Sequence, residues 1–306
     1  MESKYYYFNP FSKQYYFPKG FSKYQLFTNF YQPYTTKGRL LWQVWLKSSL
    51  LRSLCLEKNP KEMLPIFHLK QFVPKKSLLA FNRGTEGVEQ KTTVLGVDTD
   101  SGEQFFIKYA ATELARSNVN KEGSVLQQIQ HLDFVPQLLA NVNEEKFTLL
   151  KTSILRGKRH IDETVDARII AILKTISLQK INTSNISETD LQTCFAHGDF
   201  CPWNMMNYQD KIWVFDWELA SIYPFGYDLF TYVFQTATLL HPQKNIEEVY
   251  LQHKNSIVAL FDHWGIANYI PYLVAFAEIK FAQESKKKNT ILILFYKKLI
   301  TYVKTL

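Results

Sequence analysis

The C-terminal half of the chain carries apolar residues at the spacing of amphipathic helices. The stretch from Glu163 to Ile181 shows this pattern, and four later stretches repeat it, around residues 229–240, 246–263, 269–284 and 289–305. Apolar residues three and four positions apart share one face of a helix. We therefore predict a C-terminal part that is mostly helical.

The middle of the chain contains shorter apolar runs. Residues 92–97, 105–110 and 147–150 are rich in β-branched and aromatic residues, which is typical of strands. The segment 118–129 between them has apolar residues at helical spacing instead. This order predicts an α+β fold in which a small sheet with one main helix precedes the helical part.

The stretch from His197 to Asn204 lies between the strand-like segments Thr189–Ala196 and Ile212–Phe215. It places Asp199 two residues after His197 and five residues before Asn204. Phosphoryl transfer needs a carboxylate that takes the proton of the attacking hydroxyl and an amide oxygen that holds a metal ion. Kinase catalytic loops supply these groups at this spacing. The stretch therefore indicates a kinase catalytic loop.

Asp216 to Glu218 follow the second strand-like segment, and Asp228 comes soon after them. A carboxylate at the end of a buried strand is where a kinase holds the metal that bridges the nucleotide phosphates. Gly198 stands where protein kinases have Arg in the catalytic loop. Together these motifs resemble the aminoglycoside phosphotransferase and choline kinase family, and the resemblance covers roughly residues 78–306.

The resemblance implies a two-lobed protein-kinase-like fold, with a small antiparallel-sheet N-lobe and a mostly helical C-lobe. It implies that Asp199 is the catalytic base and that Asn204 and Asp216 hold magnesium (Mg2+). It also implies that His197 hydrogen-bonds the backbone near Asp216 and that Asp228 braces the catalytic loop. Any one of these Asp residues alone could be a turn or cap residue, but their combination favours the kinase interpretation.

Upstream, the apolar strand 105–110 contains a single Lys, Lys108. Kinases use such a Lys to neutralise the nucleotide phosphates, and a Glu on the following helix holds it. Glu122 is the predicted partner, and Glu113 is the alternative. A lysine that protects an edge strand from aggregation is the structural alternative for Lys108.

The remaining nucleotide contacts are predicted from position. Gly84 and Gly87 lie where a phosphate-covering loop is expected, although an ordinary hairpin turn explains two glycines equally well. Residues 147–157, which include Lys151 and Ser153, fit the hinge whose backbone binds the purine. The resemblance implies ATP as the nucleotide, and GTP remains open because backbone groups make the selection.

The charge is unevenly distributed. The chain has a net charge of +8, whereas residues 1–80 contain 13 Lys and Arg against 3 Asp and Glu, a net of +10. We predict three parts: a basic, aromatic-rich N-terminal extension (1–77), a kinase-like N-lobe (78–152) and a C-lobe (153–306). The extension either caps the small lobe or makes a peripheral contact with an anionic surface.

Two further expectations concern the extension. Pro10, Pro18 and Pro33 indicate that residues before 35 are irregular or extended, and the apolar stretch 40–51 predicts a buried helix. Nothing in the extension resembles a nucleic-acid-binding module, so we expect no specific nucleic acid partner.

The composition also indicates the cellular compartment of the protein. No apolar run reaches the length of about 18 residues that a membrane-spanning helix needs, and the N-terminus lacks the apolar core of a signal peptide. The three cysteines have no metal-ligand spacing, which fits a reducing compartment. We expect a cytoplasmic protein, with or without peripheral membrane association.

The predicted function is ATP-dependent phosphorylation of a hydroxyl on a sugar, amino sugar, amino alcohol or related small molecule or glycan. Two alternatives stay open: a catalytically weak pseudokinase or scaffold in cell-surface glycan metabolism, and an aminoglycoside resistance kinase. Protein phosphorylation is disfavoured, because Gly198 replaces the loop Arg and no activation loop is evident between Asp216 and Asp228.

Overall fold

A computed structural model describes residues 4–8, 14–31, 36–58, 64–182 and 190–306 of the chain. The chain divides into two compact units. The first unit consists of residues 1–124 and 137–154, and the second consists of residues 125–136 and 155–306.

An eight-stranded sheet forms the centre of the first unit, and its neighbouring strands are antiparallel. The strands in chain order are β1 (Lys4–Phe8), β2 (Tyr15–Pro18), β3 (Leu56–Lys58), β4 (Ser77–Asn82), β5 (Lys91–Asp98), β6 (Gln104–Ala110), β7 (Leu138–Asn143) and β8 (Thr148–Ser153). Their order across the sheet is β3-β1-β2-β4-β5-β6-β8-β7. The sheet therefore continues across residue 77, because β2 pairs with β4.

Five α-helices accompany this sheet in the described part of the chain. They are α1 (Gln25–Thr28), α2 (Thr36–Lys47), α3 (Ser49–Leu54), α4 (Ile66–Leu69) and α5 (Glu113–Ile129). The predicted strands at 92–97 and 105–110 lie within β5 and β6. The helix predicted at 118–129 is α5, which begins five residues earlier, at Glu113.

Both faces of the sheet carry an apolar core, because successive side chains of a strand point to opposite faces. Tyr16 belongs to the core on one face, with Phe81, Ile107 and residues of the segment around α4. Phe17, the next residue, belongs to an aromatic cluster on the other face. The aromatic cluster consists of Phe17, Phe21, Phe27, Trp42, Trp45, Ala80, Leu95 and Val97.

The expectation of a buried helix at 40–51 is wrong. In α2 only Trp42 and Trp45 are buried, whereas Leu40 and Leu41 are 66% and 63% exposed. Trp42 and Trp45 are three positions apart and stack on each other, so only the narrow face of α2 that carries these two rings packs on the sheet. Of the prolines, Pro18 ends β2, and Pro10 and Pro33 lie outside the described residues.

The second unit contains two small sheets. Strand β10 (Thr193–Ala196) pairs with β13 (Ser221–Pro224). The strands β9 (Lys158–Arg159), β11 (Met205–Tyr208) and β12 (Lys211–Val214) form the other sheet, with β11 in the middle. The catalytic-loop residues lie between β10 and β11, so both ends of the loop are held by strands.

Helices make up most of the rest of the second unit, as the apolar pattern predicts. They are α6 (Ala167–Ser177), α7 (Tyr227–Phe230), a π-helical segment (Thr231–Gln235), α8 (Thr236–Leu240), α9 (Ile246–His263), α10 (Ile270–Lys287) and α11 (Thr290–Val303). The start of α6 is later than predicted, because the Asp166 side chain caps it by accepting from the N–H groups of Arg168 and Ile169. Over the described ranges, no helix is long and apolar enough to cross a membrane.

Phe17 offers a test of how much the N-terminal strands stabilise the first unit. Its fully buried ring lies 5.3 Å from the Trp42 ring and 5.5 Å from the Trp45 ring between centroids. We expect Phe17→Ala to lower the free energy of unfolding by about 3–5 kcal/mol, because it leaves a cavity in this cluster. Urea unfolding followed by tryptophan fluorescence measures the change.

The matched control is Phe67→Ala, since Phe67 belongs to the same unit and is 82% exposed. It should alter the unfolding free energy by less than about 0.5 kcal/mol. Equal effects of the two substitutions would show that the N-terminal strands do not contribute to the folded core.

Candidate active site

The first unit contains a buried ion pair between the predicted phosphate-binding Lys and the helix α5. The Lys108 Nζ atom on β6 lies 2.6 Å and 2.9 Å from the two carboxylate oxygens of Glu122. Both side chains are nearly buried, at 11% and 4% exposure. Glu122 is thus the partner of Lys108, whereas Glu113 lies in the first turn of α5. A buried charge pair with good geometry keeps the ammonium group in a defined position.

Gly123, next to Glu122, lets α5 approach the sheet closely. A Cβ atom at Gly123 would lie 2.4 Å from the Asn141 side chain on β7. A larger residue would push the helix and the sheet apart, and the Glu122 carboxylate would then move away from Lys108. The close approach of α5 to the sheet therefore supports the ion pair.

The two glycines of the predicted phosphate loop lie in the β4–β5 hairpin. Gly84 has a φ of 67°, and a Cβ there would lie 2.4 Å from the Lys91 carbonyl oxygen. Its N–H donates to the Asn82 side chain. Gly87 has a φ of 149° and open space around it. The hairpin turn explains Gly84, and phosphate binding by either glycine stays a prediction.

The side chains of Lys151 and Ser153 lie on the face of the sheet opposite Lys108. Lys108 pairs with Leu150, so Lys151 points to the face opposite Lys108. Its Nζ donates to the Phe72 carbonyl and lies 4.5 Å from the centroid of the Phe105 ring. The Ser153 hydroxyl accepts from the Gln137 N–H. The predicted contact of the purine with the backbone of this segment is independent of these side-chain directions and stays a prediction.

In the second unit, two amide groups hold the carboxylate of Asp199. Gln235 Nε2 donates to Oδ1 at 2.7 Å, and Asn204 Nδ2 donates to Oδ2 at 2.9 Å. Asn204 Nδ2 also donates to the Asp199 carbonyl. The Asp199 carboxylate is thus held in one orientation by donors on both of its oxygens.

His197 connects the loop to the strand end that carries Asp216. Its Nε2 atom lies 3.0 Å from the Phe215 carbonyl oxygen, and its Nδ1 atom lies 3.2 Å from the Asp199 N–H. A carbonyl only accepts and an N–H only donates, so these contacts require the proton on Nε2. The hydrogen bond that the resemblance implies for His197 is present.

Asp228 holds the first residues of the loop by their backbone. Its Oδ2 accepts from the His197 N–H at 2.7 Å, and its Oδ1 accepts from the Gly198 N–H at 2.9 Å. Burial raises the pKa of this carboxyl above its usual value, and the nearby His197 and these two N–H groups act in the opposite direction.

Gly198 has a φ of 86°, and a Cβ there would lie 2.3 Å from the Leu219 carbonyl oxygen. Gly198 is therefore required by the backbone of the loop.

Asn204 and Asp216 are linked through one residue, since the Phe215 N–H donates to the Asn204 carbonyl at 3.0 Å. Asp216 has a left-handed backbone, with φ 71° and ψ 55°. Non-glycine residues in this region often mark functional sites, and Asp tolerates it well. Because Asn204 Nδ2 faces Asp199, its Oδ1 is the atom that can ligate a cation. An amide oxygen and a carboxylate are the oxygen ligands that Mg2+ prefers.

Sequence reasoning missed two residues that complete this arrangement, Gln235 and Lys280. Both are buried, at 7% and 3% exposure. Each is a polar residue in an apolar stretch of a predicted helix, which was a usable signal, because polar residues are rarely buried without a partner. Cys201 lies close by, with its Sγ 3.7 Å from Asp199 Oδ1, and burial raises the pKa of its thiol well above the usual value.

Residues 123–254 match the sequence profile of the phosphotransferase enzyme family. This range contains the catalytic loop, Asp216 and Asp228. No curated protein sequence matches the chain at a significant level.

Solved structures with the same fold include an aminoglycoside phosphotransferase and an amicoumacin kinase. A thermostable mutant of the aminoglycoside phosphotransferase APH(4)-Ia is 10% identical, and the alignment covers 79% of this chain and 99% of that one, with a TM-score of 0.51. The amicoumacin kinase hAmiN, solved with AMP-PNP, Ca2+ and amicoumacin, is 11% identical over 78% of this chain and 93% of its own, with a TM-score of 0.51. At these identities the likeness concerns the fold.

The structural matches confirm the predicted α+β, protein-kinase-like fold class. The family match confirms the resemblance that the motifs of the catalytic loop indicate. Residues 123–254 are therefore similar to the phosphotransferase enzyme family, and the chain has a protein-kinase-like fold.

Proposed function

We propose that this protein transfers the γ-phosphate of ATP to a hydroxyl of a small molecule such as a sugar, an amino sugar or an amino alcohol. The observation that carries the proposal is the Asp199 carboxylate, which is held through both oxygens by amide donors. One of these donors, Asn204, also has a side-chain oxygen of the kind that ligates Mg2+. This combination suits a base next to a metal-bound phosphate.

In the proposed reaction, Asp199 orients the acceptor hydroxyl and takes its proton as the oxygen attacks phosphorus. Asn204 Oδ1 and the Asp216 carboxylate would hold Mg2+, which neutralises charge on the phosphates when it is bound. Lys108, held by Glu122, offsets charge on the nucleotide phosphates. His197 and Asp228 keep the loop in the shape that presents Asp199. Catalysis of this kind depends on positioning and electrostatics.

The acceptor is proposed only as a class. The two named neighbours act on aminoglycosides and amicoumacin, so an antibiotic acceptor is the alternative within the same chemistry. The complete set of polar groups around Asp199 argues against a pseudokinase, because a scaffold has no need of an oriented base. Three free cysteines fit a reducing compartment, and we propose the cytoplasm.

The substitution Asp199→Asn tests the base. It keeps the size of the side chain but cannot take a proton, so we expect turnover to fall by at least ~10²-fold. Transfer from radiolabelled ATP to a panel of sugars, amino alcohols and aminoglycosides measures this, with slow ATP hydrolysis as the readout when no acceptor is found.

The control is Asp210→Asn, because Asp210 is an exposed residue between β11 and β12. It should retain wild-type turnover. Full activity in the Asp199→Asn variant, or no magnesium-dependent transfer or hydrolysis by the wild type, would refute the proposed function.

Lys108→Met and Lys151→Met form a matched pair that tests the phosphate contact. Both lysines lie on adjacent strands, but they point to opposite faces of the sheet. Lys108→Met should lower kcat/KM for ATP at least ~10-fold, because it removes a charge that faces the phosphates. Lys151→Met should change it by less than about threefold.

Steady-state kinetics with varied ATP concentration measures both variants, and circular dichroism checks their folding. If Lys151→Met had the larger effect on kcat/KM for ATP, the assignment of Lys108 would be wrong, and with it the choice of the nucleotide face of the sheet.

We also propose a peripheral contact between the N-terminal region and an anionic lipid surface, on one specific observation. Helices α2 and α3 expose a row of leucines, and Leu50 and Leu54 are each 71% exposed. Lys37, Arg39 and Lys47 on α2 are exposed beside them. Exposed apolar residues flanked by cations are typical of helices that lie in a membrane interface.

The test is sedimentation with vesicles of phosphatidylcholine, with and without phosphatidylserine. Leu40→Gln with Leu41→Gln should weaken binding to the anionic vesicles at least ~10-fold, because it removes the inserted apolar area. The control is Ile291→Gln with Leu294→Gln, which changes two equally exposed residues of α11. Salt-insensitive binding, or equal loss in both double variants, would refute this contact.

A further inference from the structure

A chain of buried polar groups leads away from Asp199 into the helices of the second unit. Gln235 donates to Asp199 Oδ1 through Nε2, and its Oε1 accepts from Lys280 Nζ at 3.0 Å. The Tyr296 hydroxyl also donates to Oε1, at 3.3 Å. The residues come from separate elements, namely the π-helical segment, α10 and α11. The carboxylate of Asp199 is therefore tied to groups that are distant in the sequence.

Lys280 determines which way the Gln235 amide faces. An amide has one accepting end and one donating end, and the two ends are similar in shape. An ammonium group only donates, so the accepting end of Gln235 must face Lys280. The donating end must then face Asp199. The opposite orientation would place an amide oxygen against a carboxylate and the amide N–H groups against an ammonium group.

Lys280 also contacts the catalytic loop directly. Its Nζ lies 3.2 Å from the Gly198 carbonyl oxygen and 5.2 Å from the centroid of the Tyr227 ring. A lysine that is only 3% exposed loses its hydration. The two carbonyl contacts and the aromatic ring replace part of it. Because these contacts take the place of lost water, they hold the ammonium group in a defined position between the Gly198 carbonyl and the Gln235 side chain.

The π-helical segment places Gln235 at this point. Residues Thr231–Gln235 form a single wide turn between α7 and α8, and all five are buried. Such turns insert one extra residue into a helix and are frequent at functional sites. The insertion changes the direction in which the following side chains point. In this helix it coincides with the residue that donates to Asp199.

We infer that Gln235 and Lys280 are positioning residues for the proposed phosphotransfer, and that they hold the Asp199 carboxylate in the orientation that accepts the hydroxyl proton. The inference rests on the proposed function. Asn204 holds Oδ2 from one side and the Lys280–Gln235 pair holds Oδ1 from the other. Rotation of the carboxylate about its Cβ–Cγ bond breaks both contacts. The base is therefore oriented before the acceptor arrives.

The first experiment compares Gln235→Met and Lys280→Met in the full-length protein. Each replacement keeps the length of the side chain and removes the polar contacts. We expect kcat for phosphate transfer, or for ATP hydrolysis, to fall about 10- to 100-fold, with KM for ATP changed less than about threefold. Lys287→Met is the control, since Lys287 is an exposed residue of the same helix, and it should leave both parameters unchanged.

The double variant distinguishes a shared role from two separate ones. If Lys280 acts mainly through Gln235, adding Lys280→Met to Gln235→Met should lower kcat by less than about threefold further. If the two substitutions lowered kcat by factors that multiply in the double variant, the two residues would act independently. That result would overturn the inference that Lys280 acts through Gln235. Unchanged kcat in both single variants would overturn the positioning role altogether.

A second experiment needs no activity. Gln235→Glu places a second carboxylate against Asp199, and adding Asp199→Asn restores a contact between an amide and a carboxylate with the roles exchanged. We expect Gln235→Glu to lower the thermal midpoint and the double variant to recover part of the loss. Calorimetric melting of the four proteins measures this, and an equal effect of Asp199→Asn in both backgrounds would refute the contact.

The two experiments separate failure of the inference from failure of the proposed function. A wild-type protein without transfer or hydrolysis contradicts the function, while the melting cycle still decides whether Gln235 holds Asp199. An active wild type whose kcat is insensitive to Gln235 and Lys280 contradicts only the inference.

Discussion

The carboxylate of Asp228 accepts from two consecutive backbone N–H groups, those of His197 and Gly198, and the rest of the second unit's site depends on these bonds. They hold the chain where it leaves β10 and turns through the left-handed residue Gly198. With the backbone held there, the His197 ring reaches the Phe215 carbonyl. One buried carboxylate thus sets the shape of the loop, and the loop sets the direction of Asp199.

Hydrogen bonds extend from the catalytic loop in two directions. The Phe215 backbone joins the loop to Asp216, because its carbonyl accepts from His197 and its N–H donates to the Asn204 carbonyl. In the other direction, Gly198 and Asp199 contact Lys280 and Gln235 in the helices. The loop is therefore held from the strand side and from the helix side. Groups held in this way need little reorganisation during a reaction, which is the condition for electrostatic catalysis.

The parts of the site that could be predicted are those whose contacts are local or periodic. His197, Asp199 and Asn204 lie within eight residues, and their spacing alone indicates the loop. Lys108 and Glu122 are 14 residues apart on a strand and the next helix, so their pairing could also be predicted from the sequence. The α9 helix has the predicted bounds because Asn245 and Glu248 form a capping box at its start.

The parts that could not be predicted depend on contacts between distant residues. Gln235 is 36 residues from Asp199, and Lys280 is 82 residues from Gly198, so no sequence pattern joins them. The face of the sheet on which the Lys151 side chain lies could not be predicted for a different reason. An apolar strand shows that residues alternate between faces, but the register against Lys108 decides which face each one takes. The pairing of β2 with β4 is likewise invisible in a segment of aromatic and basic residues.

The continuous sheet has a practical consequence for shortened forms of this protein. The family profile begins at residue 123, inside α5, and the motif resemblance begins near residue 78, at the start of β4. A protein cut near residue 78 loses β1, β2 and β3, and one cut at residue 123 loses β4, β5 and β6 as well. In the first case strand β4 would become an open edge next to two uncovered apolar faces, which is a known cause of aggregation. Strands β1, β2 and β3 therefore belong to the sheet of the first unit, and poor solubility of a trimmed protein would reflect a broken sheet.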